Sequence, residues 1–250
     1  KEMQEKVMRT EQLAAVGRFS AGLAHEIRNP LTSLSGSIQV LARGLKLESS
    51  YKKLMEIVIK ETDRLNVILS DFLNYSQPKK SNNTIIDLTQ LIQDVIILLK
   101  NKEDFSSTKQ IVFKGMADHL ILNGDEEQIK QVVWNLCINA LEAMSQGTLT
   151  LKLKEVLYFQ SGKFKSNHRG MVLEVQDEGC GIAQDQINNI YDPFYSSKKD
   201  GVGLGLATVY QIINKNGGVM DVKSKVGKGT LFTVFLPDQE SAIPAPLLTH

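Results

Sequence analysis

His25, Glu26 and Asn29 stand together in Ala24-His25-Glu26-Ile27-Arg28-Asn29-Pro30-Leu31. The octapeptide lies inside an apolar pattern at Leu13, Val16, Phe19, Leu23, Ile27, Leu34, Ile38 and Leu41. Those steps of three and four lay one stripe along a helix. At about 100° per residue, His25 falls opposite Leu23 and Ile27, so its imidazole is expected to face solvent. Asn29, at i+4, shares that face. Pro30 has no N–H, so the carbonyl of Glu26 loses its helical partner and a bend is expected just past His25. A neutral imidazole is a nucleophile near neutral pH, and a neighbouring carboxylate can orient its ring. A zinc site of the His-Glu-x-x-His type is excluded, because the position of the second histidine holds Asn29. An ordinary surface histidine is the competing reading of the octapeptide taken alone.

Four further segments carry chemistry of a second kind. Asn135 and Asn139, in Asn135-Leu136-Cys137-Ile138-Asn139-Ala140, are i and i+4 on one helix. Their paired carbonyl oxygens suit a hard cation such as Mg²⁺. Asp177-Glu178-Gly179-Cys180-Gly181 sits at a strand end, where a buried carboxylate can accept from an exocyclic amine and Gly179 and Gly181 allow close backbone approach. Asp192-Pro193-Phe194 leads through Ser197-Lys198-Lys199 to Gly201-Val202-Gly203-Leu204-Gly205-Leu206, a glycine-rich loop with lysines before a helix whose first amides can receive phosphate. Gly227-Lys228-Gly229-Thr230 is a tight turn before a strand. Singly, such glycine clusters are more often turns than ligand sites. The third segment is no dinucleotide fingerprint, since Leu206 stands where the last glycine is required.

The elements that must position these groups follow from periodicity. Residues 1–46 read as one long helix, and Gly44 with Glu48-Ser49-Ser50 marks a turn. A second helix carries a seam at Leu54, Val58, Leu65, Ile68, Phe72 and Tyr75, interrupted by Glu61. Pro78 is expected to stop it, and residues 79–83 to form a polar linker. Such a hairpin buries its seam by pairing two copies into a four-helix bundle; the alternative is packing on the rest of the same chain. From Thr84 the pattern is mixed: a strand at Ile85-Ile86-Asp87-Leu88, a helix from Thr89 to Lys100 burying Leu91, Val95 and Leu98, and strands at 111–114 and 119–122. Asp125 is expected to cap the next helix with Gln128 completing a capping box, and the helix to run through Met144. Strands at 148–157 and 171–176, helices at 186–191 and 206–216 and a hairpin of 219–224 with 230–236 complete the reading, before a tail at 239–250. Residues 155–161 fit the recognition pattern of a viral cleavage protease, through insertion or coincidence, and residues 154–170 are expected to form an exposed hairpin without functional weight.

The chain of 250 residues is 42% hydrophobic and 23% charged, the composition of a soluble globular protein. A net charge of +1 disfavours a nucleic-acid binder that relies on bulk electrostatics. No apolar run of about 18 residues spans a membrane, and no signal peptide opens the chain. The opening Lys1-Glu2-Met3 falls in mid-helix pattern, so a fragment lacking its upstream region is expected. Cys137 and Cys180 are expected as buried or cramped free thiols, which fits a reducing compartment.

Residues 24–31 resemble the phosphoacceptor box of two-component sensor histidine kinases, in a form close to nitrogen-regulation and sporulation-type kinases. In their order, the four later segments resemble the asparagine box, the first glycine box, the lid with its glycines, and the final glycine–threonine box of the Bergerat ATP-binding fold. Histidine kinases share that fold with gyrase-type topoisomerases and mismatch-repair ATPases. The resemblance covers nearly the whole chain. It implies an α+β architecture: a helical hairpin at 1–80 forming a dimeric four-helix bundle, then an α/β-sandwich Bergerat domain at 84–238. It implies ATP and Mg²⁺ as cofactors, Mg²⁺ on Asn139 with Asn135 assisting, adenine read by Asp177 and supported by Thr230, Lys198 in the lid, Gly203 and Gly205 letting the lid close on the phosphates, and Gly179, Gly181 and Leu206 among the ATP-binding residues. It further implies autophosphorylation of His25, transfer to an aspartate on the receiver domain of a response regulator, and a reverse phosphatase activity in which Asn29 positions water. A cytoplasmic enzyme, tethered through an absent upstream sensor, follows. The ATPases of the superfamily place a water-activating glutamate four residues before the metal asparagine. That position here is Asn135, which cannot act as a general base. Two other readings remain: a Bergerat-fold ATPase or clamp, and a silent dimeric scaffold.

Overall fold

The computed structural model describes residues 27, 29–41, 49–76, 82–102, 105–116, 119–161, 164–166, 169–198 and 201–238. Expectations for His25, Glu26, Pro78 and the 239–250 tail lie outside these residues. The chain divides into two compact units, Lys1–Lys80 and Ser81–His250.

In the first unit, residues 29–41 are helical (α1) and a second helix, α2, spans Ser49–Ser76. Pro30 stands within helical backbone and Asn29 is exposed. Seam residues Leu54, Val58 and Leu65 are exposed in the single chain, as are Ile27, Leu34 and Leu41 of the first stripe. Ser35 and Thr62 are buried instead, and the Thr62 hydroxyl donates back to the Val58 carbonyl at 2.8 Å.

The second unit is a two-layer sandwich. A five-stranded sheet has the order β2-β4-β7-β9-β8, formed by β2 (Lys109–Gly115), β4 (Gly147–Val156), β7 (Gly170–Gln176), β8 (Val219–Lys225) and β9 (Gly229–Pro237). Only β2 and β4 run parallel; the other neighbours in this sheet are antiparallel. The remaining strands form two small antiparallel ribbons, β1 (Asn83–Asp87) with β3 (Ile121–Asp125), and β5 (Phe159–Ser161) with β6 (Phe164–Ser166). Alternation puts Leu149, Leu151 and Leu153 of β4 on one face with Met171, Leu173 and Val175 of β7, and with Phe232, Val234 and Leu236 of β9. Helices α3 (Leu88–Lys100), α4 (Glu126–Ala143) and α5 (Gly205–Lys215) contribute Ile92, Val95, Leu136, Cys137, Val209 and Ile213 to the same core. Burial pushes the Cys137 thiol up to about 12, so it stays protonated and inert. Cys180 is also free but exposed, contrary to the expectation of a buried or cramped thiol.

Several boundaries differ from the sequence reading for local reasons. Asp87 accepts from the amides of Thr89 and Gln90, so α3 starts at Leu88 and the buried face runs to Leu99, leaving Leu98 exposed. Asp125 caps α4 by accepting from the Gln128 amide at 3.0 Å. The Gln128 side chain donates to the same carboxylate rather than completing a capping box. Met144 is the C-cap, one residue past the helix. Residues 186–191 form successive turns rather than an α-helix, with i to i+3 bonds such as Asn189 N–H to Gln186 C=O at 2.9 Å. The β5–β6 ribbon is not wholly exposed. Phe159 is buried and stacks on Phe235 with centroids 4.8 Å apart, closing a small cluster with Val172, and Arg169 pairs with Glu155 at its base.

Candidate functional site

Asp177 follows β7 at the sheet end and is only 3% exposed. Its Oδ1 accepts from the amides of Gly179 at 2.8 Å and Thr230 at 3.2 Å. Its own amide donates to the Thr230 carbonyl at 2.9 Å. Burial pushes its pKa above the ordinary 3.8, opposed by those two amides and by the Lys198 charge. Oδ2 accepts no bond from any described residue, which leaves one carboxylate oxygen for an outside donor.

The glycines around it serve the protein's own packing. A side chain at Gly179 would meet the Ala143 carbonyl at 2.7 Å, and one at Gly181 (φ +70°) the Lys225 carbonyl at 2.2 Å. Their requirement is thus satisfied by neighbouring backbone, without invoking approach of a base. Thr230 is held by its hydroxyl, 2.9 Å from Ser224 Oγ. Ser224 Oγ also accepts from the Ile182 amide at 2.8 Å. Ser224 was missed in the sequence reading, although it is a polar residue on the inward phase of β8, in line with Met220 and Val222.

Asn135 and Asn139 project from one face of α4 toward the start of α5. A Cβ on Gly205 would lie 3.7 Å from both Asn135 Oδ1 and Asn139 Nδ2. While α3 and α4 carry aspartate caps, α5 has no side-chain cap bond, so its first-turn amides lack a side-chain acceptor. Leu206 is half-buried against the core, so its side chain packs there and only its backbone amide can serve the site. The lid base is closed by Phe194 N–H donating to Gly203 C=O at 3.0 Å. Gly203 has φ +73°, and a Cβ there would meet the Phe194 and Tyr195 backbone at 2.5 Å. From this segment Lys198 Nζ reaches Asn139 Oδ1 at 3.2 Å and Glu142 Oε2 at 2.5 Å. Glu142 was also missed, since no motif singles it out in the sequence. Glu178 Oε2 accepts from the Thr148 amide at 2.9 Å.

The structure therefore gathers Asn135, Asn139, Lys198, Gly203, Gly205 and Leu206 beside one helix start, with Asp177, Gly179, Gly181 and Thr230 at the sheet end that α4 borders. Of the phosphoacceptor box, Asn29 lies on an exposed helical surface; His25 and Glu26 fall outside the described residues. The expected pair of oxygens is not what faces the start of α5: Asn135 presents Oδ1 there and Asn139 its Nδ2, while Asn139 Oδ1 turns to Lys198. Amide oxygens on one helix face, an uncapped helix start and a lysine suit a phosphate with its Mg²⁺. An orphan carboxylate oxygen on a buried strand end suits an amine-bearing base.

Residues 124–240 match the family described as histidine kinase-, DNA gyrase B-, and HSP90-like ATPase, and residues 15–81 match the His Kinase A phospho-acceptor domain. Sensor histidine kinase ZraS of Salmonella typhi is 34% identical over 95% of this chain and 49% of its own length. Sporulation kinase E of Bacillus subtilis is 32% identical over 97% of this chain and 31% of its own length. The chain thus spans half or less of these relatives. Among solved structures, histidine kinase ThkA in complex with response regulator protein TrrA has a TM-score of 0.64 at 27% identity, over 95% of this chain and 66% of that one. Among the described residues, no helix is long and apolar enough to cross a membrane. With a phospho-acceptor domain ahead of a nucleotide fold in one chain, the protein belongs to the two-component sensor histidine kinases, of which it comprises the catalytic core.

Proposed function

We propose that this chain autophosphorylates His25 from Mg-ATP and passes the phosphoryl group to an aspartate of a response regulator receiver domain. One observation supports phosphotransfer over hydrolysis. Asn135 stands where a water-activating carboxylate would be needed, and the carboxylates near it are already engaged. Asp177 is tied to two backbone amides and Glu178 to the Thr148 amide. ATP bound here waits for an external nucleophile.

Asp177 Oδ2 accepts from the adenine amine, and the shape of its loop is kept by Gly179, Gly181 and Thr230. Asn139, with Asn135 assisting, would hold Mg²⁺, whose charge would offset that of the phosphates. The bare amides of α5 and Lys198 bind phosphate oxygens, and Gly203 lets the lid fold over them. Glu26 accepts from one ring nitrogen of His25, and the lone pair of the other attacks the γ-phosphorus. The N–P bond forms as the bond to the β–γ bridging oxygen breaks, and ADP leaves.

Residues 1–80 act as the dimerisation and phosphotransfer hairpin, 84–238 as the catalytic domain and 239–250 as a tail. The exposed Leu54, Val58 and Leu65 are the face a second copy would cover. The receiver docks on that bundle, and Asn29 positions water for the reverse, phosphatase reaction. The setting is the cytoplasm, where ATP is available. The test is incubation with γ-labelled ATP. Label should accumulate on the protein and be absent from His25→Gln, while both proteins bind an ATP analogue equally. Release of the label mainly as free phosphate, unaffected by His25→Gln, would favour the ATPase reading.

A further inference from the structure

Lys198 contacts the same carboxamide oxygen that the proposed function gives to Mg²⁺. Its ammonium lies 3.2 Å from Asn139 Oδ1 and 2.5 Å from Glu142 Oε2. Asn139 and Glu142 are three residues apart on α4, so the two oxygens share one face. The lysine's backbone is itself fixed. Ser196 Oγ accepts from the Lys198 amide at 3.1 Å and donates to its carbonyl at 3.3 Å, and that carbonyl also accepts from Gly201 N–H. A Cβ at Gly201 would lie 2.3 Å from Ser196 Oγ, so a side chain there would turn that hydroxyl away from Lys198.

An ammonium and a divalent cation cannot both lie against one amide oxygen without strong repulsion. We propose that Glu142 is a positioning residue that holds Lys198 against Asn139, and that the lysine leaves both for the phosphates when nucleotide binds with its metal on that oxygen. This rests on the nucleotide-site reading above. The pair is well placed for such exchange: both side chains are partly exposed, at 38% and 53%, so it is easily broken. A half-exposed ion pair shifts an equilibrium by up to about fivefold, against a triphosphate that offers Lys198 several charges in place of one.

Two measurements on the full chain decide it. Hydrogen exchange at residues 194–203 in nucleotide-free protein should be faster in Glu142→Gln than in wild type; equal exchange would overturn the latch. A fluorescent ATP analogue is then titrated in EDTA and in Mg²⁺. Glu142→Gln should bind roughly two- to fivefold tighter under both conditions, because wild type must first break the pair that holds Lys198 back. In a Lys198→Met background the Glu142→Gln effect should vanish. Unchanged or weaker binding under either condition, or a gain that persists without Lys198, would overturn the proposal. A wild-type chain that binds no analogue would instead overturn the site reading, a failure told apart by the exchange measurement, which contains no nucleotide.

Discussion

At the scale of single residues, the site is a division of labour between oxygens. Oδ1 of Asp177 holds the loop together and Oδ2 is left for ligand. Asp177→Asn keeps the shape of that group but sets an N–H₂ donor where an acceptor is needed. A mispaired buried contact costs about 1–3 kcal/mol, so nucleotide affinity should fall roughly tenfold or more. Unchanged binding in a fluorescence titration would remove Asp177 from adenine recognition. The same residue predicts a pH dependence. Its folded pKa is raised, chiefly by burial, so the folded state holds this proton more tightly than the unfolded chain. Its stabilising contribution is therefore present below the unfolded pKa and lost as pH rises through the folded one. Ligand reading requires the ionised form and so weakens on acidification earlier than for an ordinary aspartate. The ratio of wild-type to Asp177→Asn affinities, in which phosphate titration cancels, should fall toward one in acid. A ratio that stays constant would contradict the assignment.

At the scale of elements, the site depends on where α4 and α5 begin. Asp125 fixes the start of α4 by accepting from Gln128 N–H and Nε2, and also from the Asn82 amide at 2.9 Å. Burial pushes its pKa up, but these hydrogen bonds outweigh that and hold it below the ordinary value. Its contribution is thus present above the unfolded pKa and lost as pH falls through the lower folded one. Asp125→Ala should destabilise the second unit by about 0.5–2 kcal/mol, read from the urea midpoint at neutral pH, and the difference should shrink in strong acid. Identical midpoints at neutral pH would contradict the cap. The cap was legible because its pattern is local in sequence, as were the alternating core strands β4 and β7. What escaped the sequence was set by distant neighbours. Ser224 matters because Ile182 and Thr230 come to it, and Glu142 because a lysine far along the chain reaches it. Leu98 was misread because Leu98 and Leu99 both continue the spacing from Leu91 and Val95, and only packing decides that the face closes on Ile92, Ile96 and Leu99. Residues 186–191 keep to single turns, a distinction that apolar spacing over six residues cannot make.

For the whole molecule, the two units are expected to be separable. The exposed Leu54, Val58 and Leu65 give residues 1–80 a reason to dimerise, whereas the second unit buries its own core. Light scattering should find 1–80 dimeric and helical, and 84–238 monomeric and able to bind ATP; a monomeric first fragment would contradict the bundle. Asn29 separates the opposing activities of that bundle. Asn29→Ala should retain much of the autophosphorylation and forward transfer yet slow dephosphorylation of the regulator. Equal losses in all three rates would reduce Asn29 to a support for the helix at Pro30. The central claim is that the nucleophile is an imidazole nitrogen, and the chemistry of the bond it forms tests this most directly. Protein labelled from γ-labelled ATP should keep its label through alkali and lose it in acid, as an N–P bond does, with no label on His25→Gln. Label that survives acid and is lost in alkali would mark a hydroxyl ester and contradict the account.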